Sequence, residues 1–260
     1  MKKTVFEQLA MLNQPNAKES VLSYARLGYS LCEEAEIKMF DVSNPENILE
    51  KYIEYYPLCD AAELRLFELE NDAILSKYID LHYFCNHAEL KLIEFSKGNH
   101  LLKEYVRKHP LRYQAELKIL ELDNAHEILE EYLKAGNPVC SEAQMKMFEL
   151  SNASDIVKEY VVKHRLCCEV QMKLFEFDNA IELVRASIQN HDLCGDAEVK
   201  MLHLEGADDL IVEYIQKHTL TDKAQVQLFQ LPDAEKFLEE YIQKHNLCHE
   251  AVKLLFYRRR

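Results

Sequence analysis

Glycine and proline are scarce in this sequence, with five Gly and six Pro among 260 residues. Both residues mark turns and interrupt helices, so their scarcity predicts helices joined by short turns. Hydrophobic residues make up 48% of the chain and charged residues 29%. This composition can bury a core and excludes an intrinsically disordered chain. We therefore expect an ordered, helical protein.

Basic charge is also in deficit. The chain has 31 Lys and Arg against 45 Asp and Glu, which gives a formal net charge of -14. Such a surface repels phosphate backbones, so nucleic acid is an unfavourable partner. The basic tail of Arg258, Arg259 and Arg260 is too short to reverse this balance.

Long apolar runs are missing as well. No segment approaches the ~20 apolar residues of a membrane helix. The opening MKKTVFEQLAML places Glu7 and Gln8 inside what would be the apolar core of a signal peptide. Without an export signal, the eight cysteines are expected to be free thiols in a reducing cytoplasm. The sequence thus predicts a cytoplasmic protein with no membrane partner.

The sequence does contain a clear internal repeat. A position that follows His-x-Leu, or its equivalent, recurs at intervals of 26 to 28 residues, most often 27. We call this position the anchor; its occupants are Cys32, Cys59, Cys85, Arg112, Cys140, Cys167, Cys194, Thr221 and Cys248. Such regularity is typical of a repeat array in which each unit buries its apolar face by stacking on its neighbours.

Two helices fit inside each repeat. The first starts near a small residue such as Ala143 and has apolar residues two, four, five and seven places later. These positions cover more than half of the helix circumference and predict packing on several sides. The second helix has a single apolar stripe, as in Ile156, Val157 and Tyr160. We expect this helix to pack on one face and to be exposed to solvent on the other.

Helix start signals recur in both helices. Asparagines stand where second helices are expected to begin, at Asn44, Asn71, Asn124, Asn152 and Asn179. Four pairs at the first helices have capping-box spacing: Asp60 with Glu63, Asn86 with Glu89, Ser141 with Gln144, and Asp222 with Gln225. If these residues are N-caps, the anchor cysteine precedes the cap and packs as a hydrophobic staple on the residue five places later.

The repeated cysteines and histidines are therefore interpreted as structural. Equivalent residues of stacked helices lie ~8 to 10 Å apart, too far for one metal ion or for the ~4.4 to 6.8 Å between the Cα atoms of a disulfide. Histidines are expected to end the second helices and bond the last carbonyls, at His82, His109, His164, His191, His218 and His245. Cys168 departs from the anchor column, and its reactivity stays open.

No motif for chemistry is found. A Gly-rich phosphate loop, a nucleophile elbow, a zinc-binding HExxH and paired CxxC motifs are all missing from the sequence. We therefore predict no catalytic residue, no cofactor and no metal ligand. A basic column on the first helices, including Lys173 and Lys200, stands three residues before a column that is mostly acidic. This spacing predicts a solvated face of weak ion pairs, each worth ~0.2 to 0.5 kcal/mol.

Exposed columns that vary between repeats are the better candidates for recognition. Two such columns flank the tyrosine of the second helix, and near the middle of the array they turn basic. We call this set the second-helix strip; it consists of Lys103, Arg107, Lys134, Lys158, Val162 and Arg185. We hypothesise that the strip receives an acidic or phosphorylated segment of a partner protein. The alternative is unselected surface variation.

The columns of Ala, Leu and Phe in paired helices resemble an α-solenoid of the HEAT, armadillo and leucine-rich-repeat-variant type, from about residue 5 to the end. The period differs from the ~34 residues of tetratricopeptide, ~33 of ankyrin and ~40 to 47 of HEAT or armadillo repeats. We predict an all-α fold, a single right-handed α-solenoid domain over residues 1–260 with about nine two-helix repeats. Residues 5–31 form a degenerate N-terminal cap repeat, 32–247 hold eight repeats and 248–260 form a C-terminal capping helix.

The expected function is a non-enzymatic scaffold that binds a partner protein or peptide along one face of the solenoid. One alternative is a HEAT-like nucleic-acid-processing enzyme such as a DNA glycosylase, which resembles this architecture. It would need a basic concave groove, and the net charge of -14 disfavours one. A further alternative is a neutralising partner of a toxin or effector. An acidic, rigid surface suits that role, although no motif supports it.

Overall fold

The regular structure of the described residues is entirely helical. The computed structural model describes residues 2–95 and 100–258. Within them lie 19 α-helices and three short 3-10 turns, and no β-strand. The predicted all-α fold is confirmed. The chain divides into two compact units, Met1–Asn137 and Pro138–Arg260, and the single continuous domain stays a prediction.

Unit 1 is a two-layer stack of helices. One layer holds the first helices α1 (Val5–Leu12), α3 (Glu33–Lys38), α5 (Asp60–Leu66), α7 (Asn86–Phe95) and α9 (Tyr113–Ile119). The other holds the second helices α2 (Ala17–Arg26), α4 (Glu46–Tyr52), α6 (Asp72–Leu81), α8 (His100–Lys108) and α10 (Ala125–Lys134). Each helix contacts the next one of its own layer. Two 3-10 turns, Met39–Asp41 and Phe67–Leu69, extend α3 and α5.

Unit 2 repeats this arrangement. Its first helices are α11 (Ser141–Met147), α13 (Cys168–Lys173), α15 (Gly195–Leu202), α17 (Asp222–Gln230) and α19 (His249–Arg258). Its second helices are α12 (Ala153–Lys163), α14 (Ala180–Ile188), α16 (Asp208–Lys217) and α18 (Glu235–Lys244). Helices of one layer again contact their successors, and the turn Leu174–Glu176 follows α13. In the described part of the chain, no helix is long and apolar enough to span a membrane.

The first helices begin one residue away from the capping-box prediction. The N-cap of α5 is Cys59, and that of α11 is Cys140, whose Sγ accepts a weak hydrogen bond from the Ala143 N–H at 3.4 Å. Each residue predicted as a cap is instead the first helical residue. The four predicted capping boxes are therefore wrong, and the cysteine is the cap itself rather than a staple before it.

The asparagine caps of the second helices are mostly confirmed. Asn71 caps α6 through a hydrogen bond from the Ile74 N–H to its side chain. Three others occupy the N-cap without a side-chain hydrogen bond, at Asn124, Asn152 and Asn179. Asn44 differs: the N-cap of α4 is Pro45, and Asn44 precedes it with a φ of 56°. A left-handed turn, which asparagine tolerates, thus replaces the predicted cap.

A buried ladder of tyrosines and carboxylates connects the repeats. The Tyr78 hydroxyl accepts a hydrogen bond from the Leu58 N–H at 3.1 Å and donates one to Glu63 at 2.7 Å. The other carboxylate oxygen of Glu63 accepts from the N–H of Cys85, the next anchor, at 2.6 Å. One side chain thus joins two repeats. The same tyrosine-to-glutamate bond forms at Tyr52 with Glu36, Tyr105 with Glu89, Tyr132 with Glu116, and Tyr214 with Glu198.

Glutamine takes the carboxylate's place in the other repeats, at Gln8, Gln144, Gln171 and Gln225. Gln144 accepts a hydrogen bond from the N–H of the next anchor, Cys167, at 2.9 Å and donates one to the Val139 carbonyl at 3.1 Å. Where Ser187 replaces the tyrosine, Gln171 donates to main-chain carbonyls instead. An amide therefore serves both roles, because it carries a donor and an acceptor.

Histidines end most of the second helices as predicted, and four of them also contact the preceding repeat. His191 differs, because the C-cap of α14 is Gln189. In the described part of the chain, the ring Nε2 atoms of His164 and His191 have no hydrogen-bond partner. His82 is the C-cap of α6; its N–H donates to the Tyr78 carbonyl, and its ring Nε2 lies 2.6 Å from the Ile53 carbonyl at the end of α4. Since a carbonyl only accepts, Nε2 carries the proton. Equivalent ring contacts join His109 to Ile79, His218 to Ile188 and His245 to Ile215.

Candidate interaction surfaces

In unit 1, the second-helix strip lies on exposed or partly exposed positions, and its cations are paired. Lys103 Nζ lies 2.6 Å from Glu127, and Arg107 Nε lies 2.5 Å from Glu131, both of which are on α10. Lys134 pairs with a glutamate one turn earlier on its own helix, at 2.6 Å. The hydrogen bond from Arg107 lowers the pKa of the Glu131 carboxyl, so the pair is ionised at neutral pH.

In unit 2, the strip residues are matched in the same way. Lys158 pairs with Glu182 on the next second helix, and Arg185 Nε lies 3.1 Å from Glu213. Val162, on α12, is 47% exposed. In each unit the strip thus lies on adjacent second helices, but a carboxylate balances every cation. An acidic partner would have to displace these carboxylates before it could bind.

The first helices carry a different exposed surface. Five places after each anchor stands an apolar residue that is at least partly exposed: Ile37, Leu64, Leu90 and Leu117 in unit 1, and Met145, Met172, Val199 and Val226 in unit 2. Because the first helices stack in order within each unit, these equivalent side chains form one line per unit. We call these lines the apolar rows. Aligned, half-exposed apolar groups are typical of a contact surface for another polypeptide.

Next to the apolar row of unit 2 lie two cations that rest on aromatic rings. Lys173 Nζ is 6.0 Å from the centre of the Phe148 ring, and Lys200 Nζ is 5.8 Å from that of Phe175. The ion pair expected between Lys173 and Glu176 does not form. Among the residues the structure describes, neither lysine has a carboxylate within ion-pair distance, and Lys200 Nζ donates to the Met172 carbonyl at 3.2 Å.

The equivalent cations of unit 1 differ because each has an acidic neighbour. The pairs are Lys38 with Asp41, Arg65 with both Asp41 and Glu68, Lys91 with Glu94, and Lys118 with Glu121. In unit 1 the predicted salt-bridged face is therefore present. In unit 2, the residue three places after Lys200 is His203 rather than an acid, so Lys200 has no ion-pair partner at that position. A cleft of about 220 Å³, lined by Phe148, Lys173, Glu176 and Phe177, opens beside Lys173.

The strongly perturbed carboxyl and phenol groups belong to the buried ladder rather than to these surfaces. Burial raises the pKa of Glu36, Glu63 and Glu89, because a low-dielectric interior disfavours the charged form. Burial likewise raises the pKa of Tyr241 to about 12. The hydrogen bonds of these groups lie within the repeats and between neighbouring ones, which gives the groups a structural role.

The role of this glutamate and glutamine column was not predicted from the sequence. A signal was present: the position four places after the anchor holds Glu or Gln in every repeat from Gln8 to Gln225. It also stands directly after the buried alanine column, on the packed side of the helix. A polar residue that is retained on an apolar face indicates a buried hydrogen-bond role.

The cysteines are free thiols, as expected. Most are partly buried at anchor positions, and Cys168 is exposed. Among the described residues, no group of three or more His, Cys, Asp and Glu side chains is placed to hold a metal ion.

Comparisons with known proteins identify no relative of this chain. No protein-family model, no curated protein and no solved structure matches it. The resemblance to HEAT and armadillo proteins thus stays an architectural prediction. The exposed surfaces of the two units carry the functional proposal.

Proposed function

We propose that this protein is a non-enzymatic scaffold, built as an α-solenoid, that binds a segment of a partner protein on the apolar row of unit 2. The observation that supports this proposal most strongly is the position of Lys173 and Lys200, two cations without a carboxylate partner in the described residues, beside partly exposed Met172 and Val199. Such a surface favours a segment whose apolar side chains are flanked by Asp or Glu.

An amphipathic helix fits the spacing of the row. Packed helices lie ~8 to 10 Å apart, so consecutive residues of the row are separated by about that distance. An α-helix rises ~1.5 Å per residue, and residues seven apart are therefore ~10 Å apart along its axis. A partner helix with apolar residues at every seventh position would meet Met145, Met172 and Val199 in turn.

The second-helix strip supports the same function less well. In unit 2, Lys158 and Arg185 each lie beside a glutamate of the following helix. An acidic segment would gain contacts with these cations only by displacing carboxylates that already bind them, so the net gain in free energy would be small. Two strip residues, Lys158 and Arg185, nevertheless provide a control, because they are cations of the same unit and are also accessible to solvent.

Two charge-reversal variants separate the surfaces. K173E/K200E reverses the cations beside the apolar row, and K158E/R185E reverses two cations of the strip. Crosslinked pull-downs from the native cell lysate should recover a protein partner with the wild type and with K158E/R185E, but not with K173E/K200E. The row variant Met172→Asp should lose the same partner, and far-UV circular dichroism should show that all variants stay folded.

The opposite pattern would contradict the row as the binding surface. Loss of the partner in K158E/R185E alone would support the second-helix strip instead. Recovery of nucleic acid rather than protein by the wild type would support the alternative of a nucleic-acid-processing enzyme. A wild-type protein that captures no specific partner would contradict the scaffold proposal itself.

A further inference from the structure

Two thiols from neighbouring repeats meet at the start of α13 and α15. Cys168 is the first residue of α13 and is exposed, and Cys194 is the N-cap of α15 and is partly buried. The Cys194 thiol lies against Cys168, with its Sγ 3.9 Å from the Cys168 main-chain oxygen. Cys168 is not an anchor, so the wide spacing of the anchor column does not separate this pair.

The positions equivalent to Cys168 and Cys194 in the next repeat show how close the two Cβ atoms of such a pair lie. Gly195 is the equivalent of Cys168, and Thr221 is the equivalent of Cys194. A Cβ added to Gly195 would lie 3.5 Å from the Thr221 Cβ. Disulfides hold their two Cβ atoms ~3.5 to 4.5 Å apart. The geometry of these columns therefore suits a disulfide, whereas two anchors of one column are expected ~8 to 10 Å apart.

This pairing of thiols occurs once in the sequence. The position after the anchor holds one cysteine, Cys168, and its other occupants are Glu33, Asp60, Asn86, Tyr113, Ser141, Gly195, Asp222 and His249. Cys248, for example, has its Sγ 3.8 Å from the main-chain oxygen of Asp222, which offers no sulfur. A cross-link between neighbouring repeats of unit 2 is thus specific to the α13–α15 junction.

We propose that Cys168 and Cys194 form a dithiol modification site that hydrogen peroxide oxidises to a disulfide, locking the start of α13 to that of α15. The exposed Cys168 sulfur takes one peroxide oxygen, and the first water leaves, giving a sulfenic acid. The Cys194 sulfur then attacks the Cys168 sulfur, the S–O bond breaks and a second water leaves. Two thiols lose their hydrogens, and one peroxide is reduced to two waters.

The pH dependence of this reaction follows from the contact between the thiols. The hydrogen bond with Cys194 and partial burial raise the pKa of Cys168, although the charge of Arg165 opposes them. Because the pKa of Cys168 is raised, its thiolate, which is the reactive form, is scarce near neutral pH. The rate of disulfide formation should rise about tenfold per pH unit until the pKa of Cys168 is passed.

Peptide mapping of the full-length protein tests the proposal. The protein is reduced, treated with hydrogen peroxide, alkylated and digested with trypsin. Cleavage after Arg165, Lys173, Arg185 and Lys200 places Cys168 in peptide 166–173 and Cys194 in peptide 186–200. We expect these two peptides joined as one species, two hydrogen atoms lighter than their sum, that dithiothreitol separates.

Three variants assign the sulfur atoms. C167S should keep the cross-link, and C168S and C194T should each abolish it. Serine occupies the column of Cys168 natively at Ser141, and threonine occupies that of Cys194 at Thr221, so C168S and C194T are compatible with the fold. The proposal is overturned by any of four results: no joined peptides, a cross-link lost in C167S, a link between two copies of the chain, or Cys168 sulfinic acid beside a free Cys194.

Discussion

The buried ladder predicts that one hydroxyl group contributes several kcal/mol to the stability of unit 1. Tyr78→Phe removes that hydroxyl and keeps the fully buried ring. The Leu58 N–H then loses its acceptor and Glu63 loses a donor, and both residues are buried. A neutral hydrogen bond contributes ~0.5 to 1.5 kcal/mol and one to a charged group ~1.5 to 3 kcal/mol, so we expect a loss of about 2 to 4 kcal/mol.

Urea unfolding and amide hydrogen exchange measure this loss. Tyr83→Phe is the matched control, because Tyr83 is 58% exposed and its ring packs on His109, a contact that phenylalanine retains. The control should change the free energy of unfolding by less than ~0.5 kcal/mol. In Y78F the Leu58 amide should also exchange faster. The reasoning is refuted if Y78F is no less stable than Y83F, or if protection of the Leu58 amide is unchanged.

Three further variants test other contacts by urea unfolding. Burial raises the pKa of Glu63, so the stabilising contribution of this group is full below the unfolded-state pKa and is lost as pH rises through the folded-state pKa. E63Q should flatten this decline in the free energy of unfolding. Parallel profiles of stability against pH for the two proteins would contradict the role of Glu63. H82A should cost ~1 kcal/mol through the lost bond to the Ile53 carbonyl. H82N introduces the residue found at the equivalent Asn137, which also donates to a carbonyl of the preceding repeat, and should cost clearly less; equal losses would refute the ring contact. R107E breaks an exposed ion pair with Glu131 and should cost at most ~1 kcal/mol; a larger loss would mean that the strip is structural.

Periodicity predicted the fold well because burial imposes it on every repeat. The small residue at Ala143 and the apolar stripe of Tyr160 are dictated by local packing, and the structure places both as buried residues of paired helices. The histidines were predicted at helix ends on the same grounds. Their bonds to the preceding repeat, such as that of His82 to the Ile53 carbonyl, depend on how two helices stack, which one repeat alone does not specify.

The capping boxes show where local rules fail. Asp60 and Glu63 have the spacing of a box, but Glu63 is 3% exposed and bonds to Tyr78 and Cys85 instead. A buried carboxylate gains more from several hydrogen bonds across repeats than from one exposed cap. The pairing of the second-helix strip could not be predicted for the same reason, because the glutamate that pairs with Arg107 comes from the next repeat.

Site-specific photocrosslinking tests the proposed binding surface most directly. A benzophenone amino acid would replace Met172 on the apolar row in one sample and Val162 on the second-helix strip in another. Both side chains are at least partly exposed and belong to unit 2. We predict that illumination in the native lysate links a partner protein to position 172 and not to position 162. Crosslinking at position 162 alone, or at neither position, would contradict binding on the apolar row.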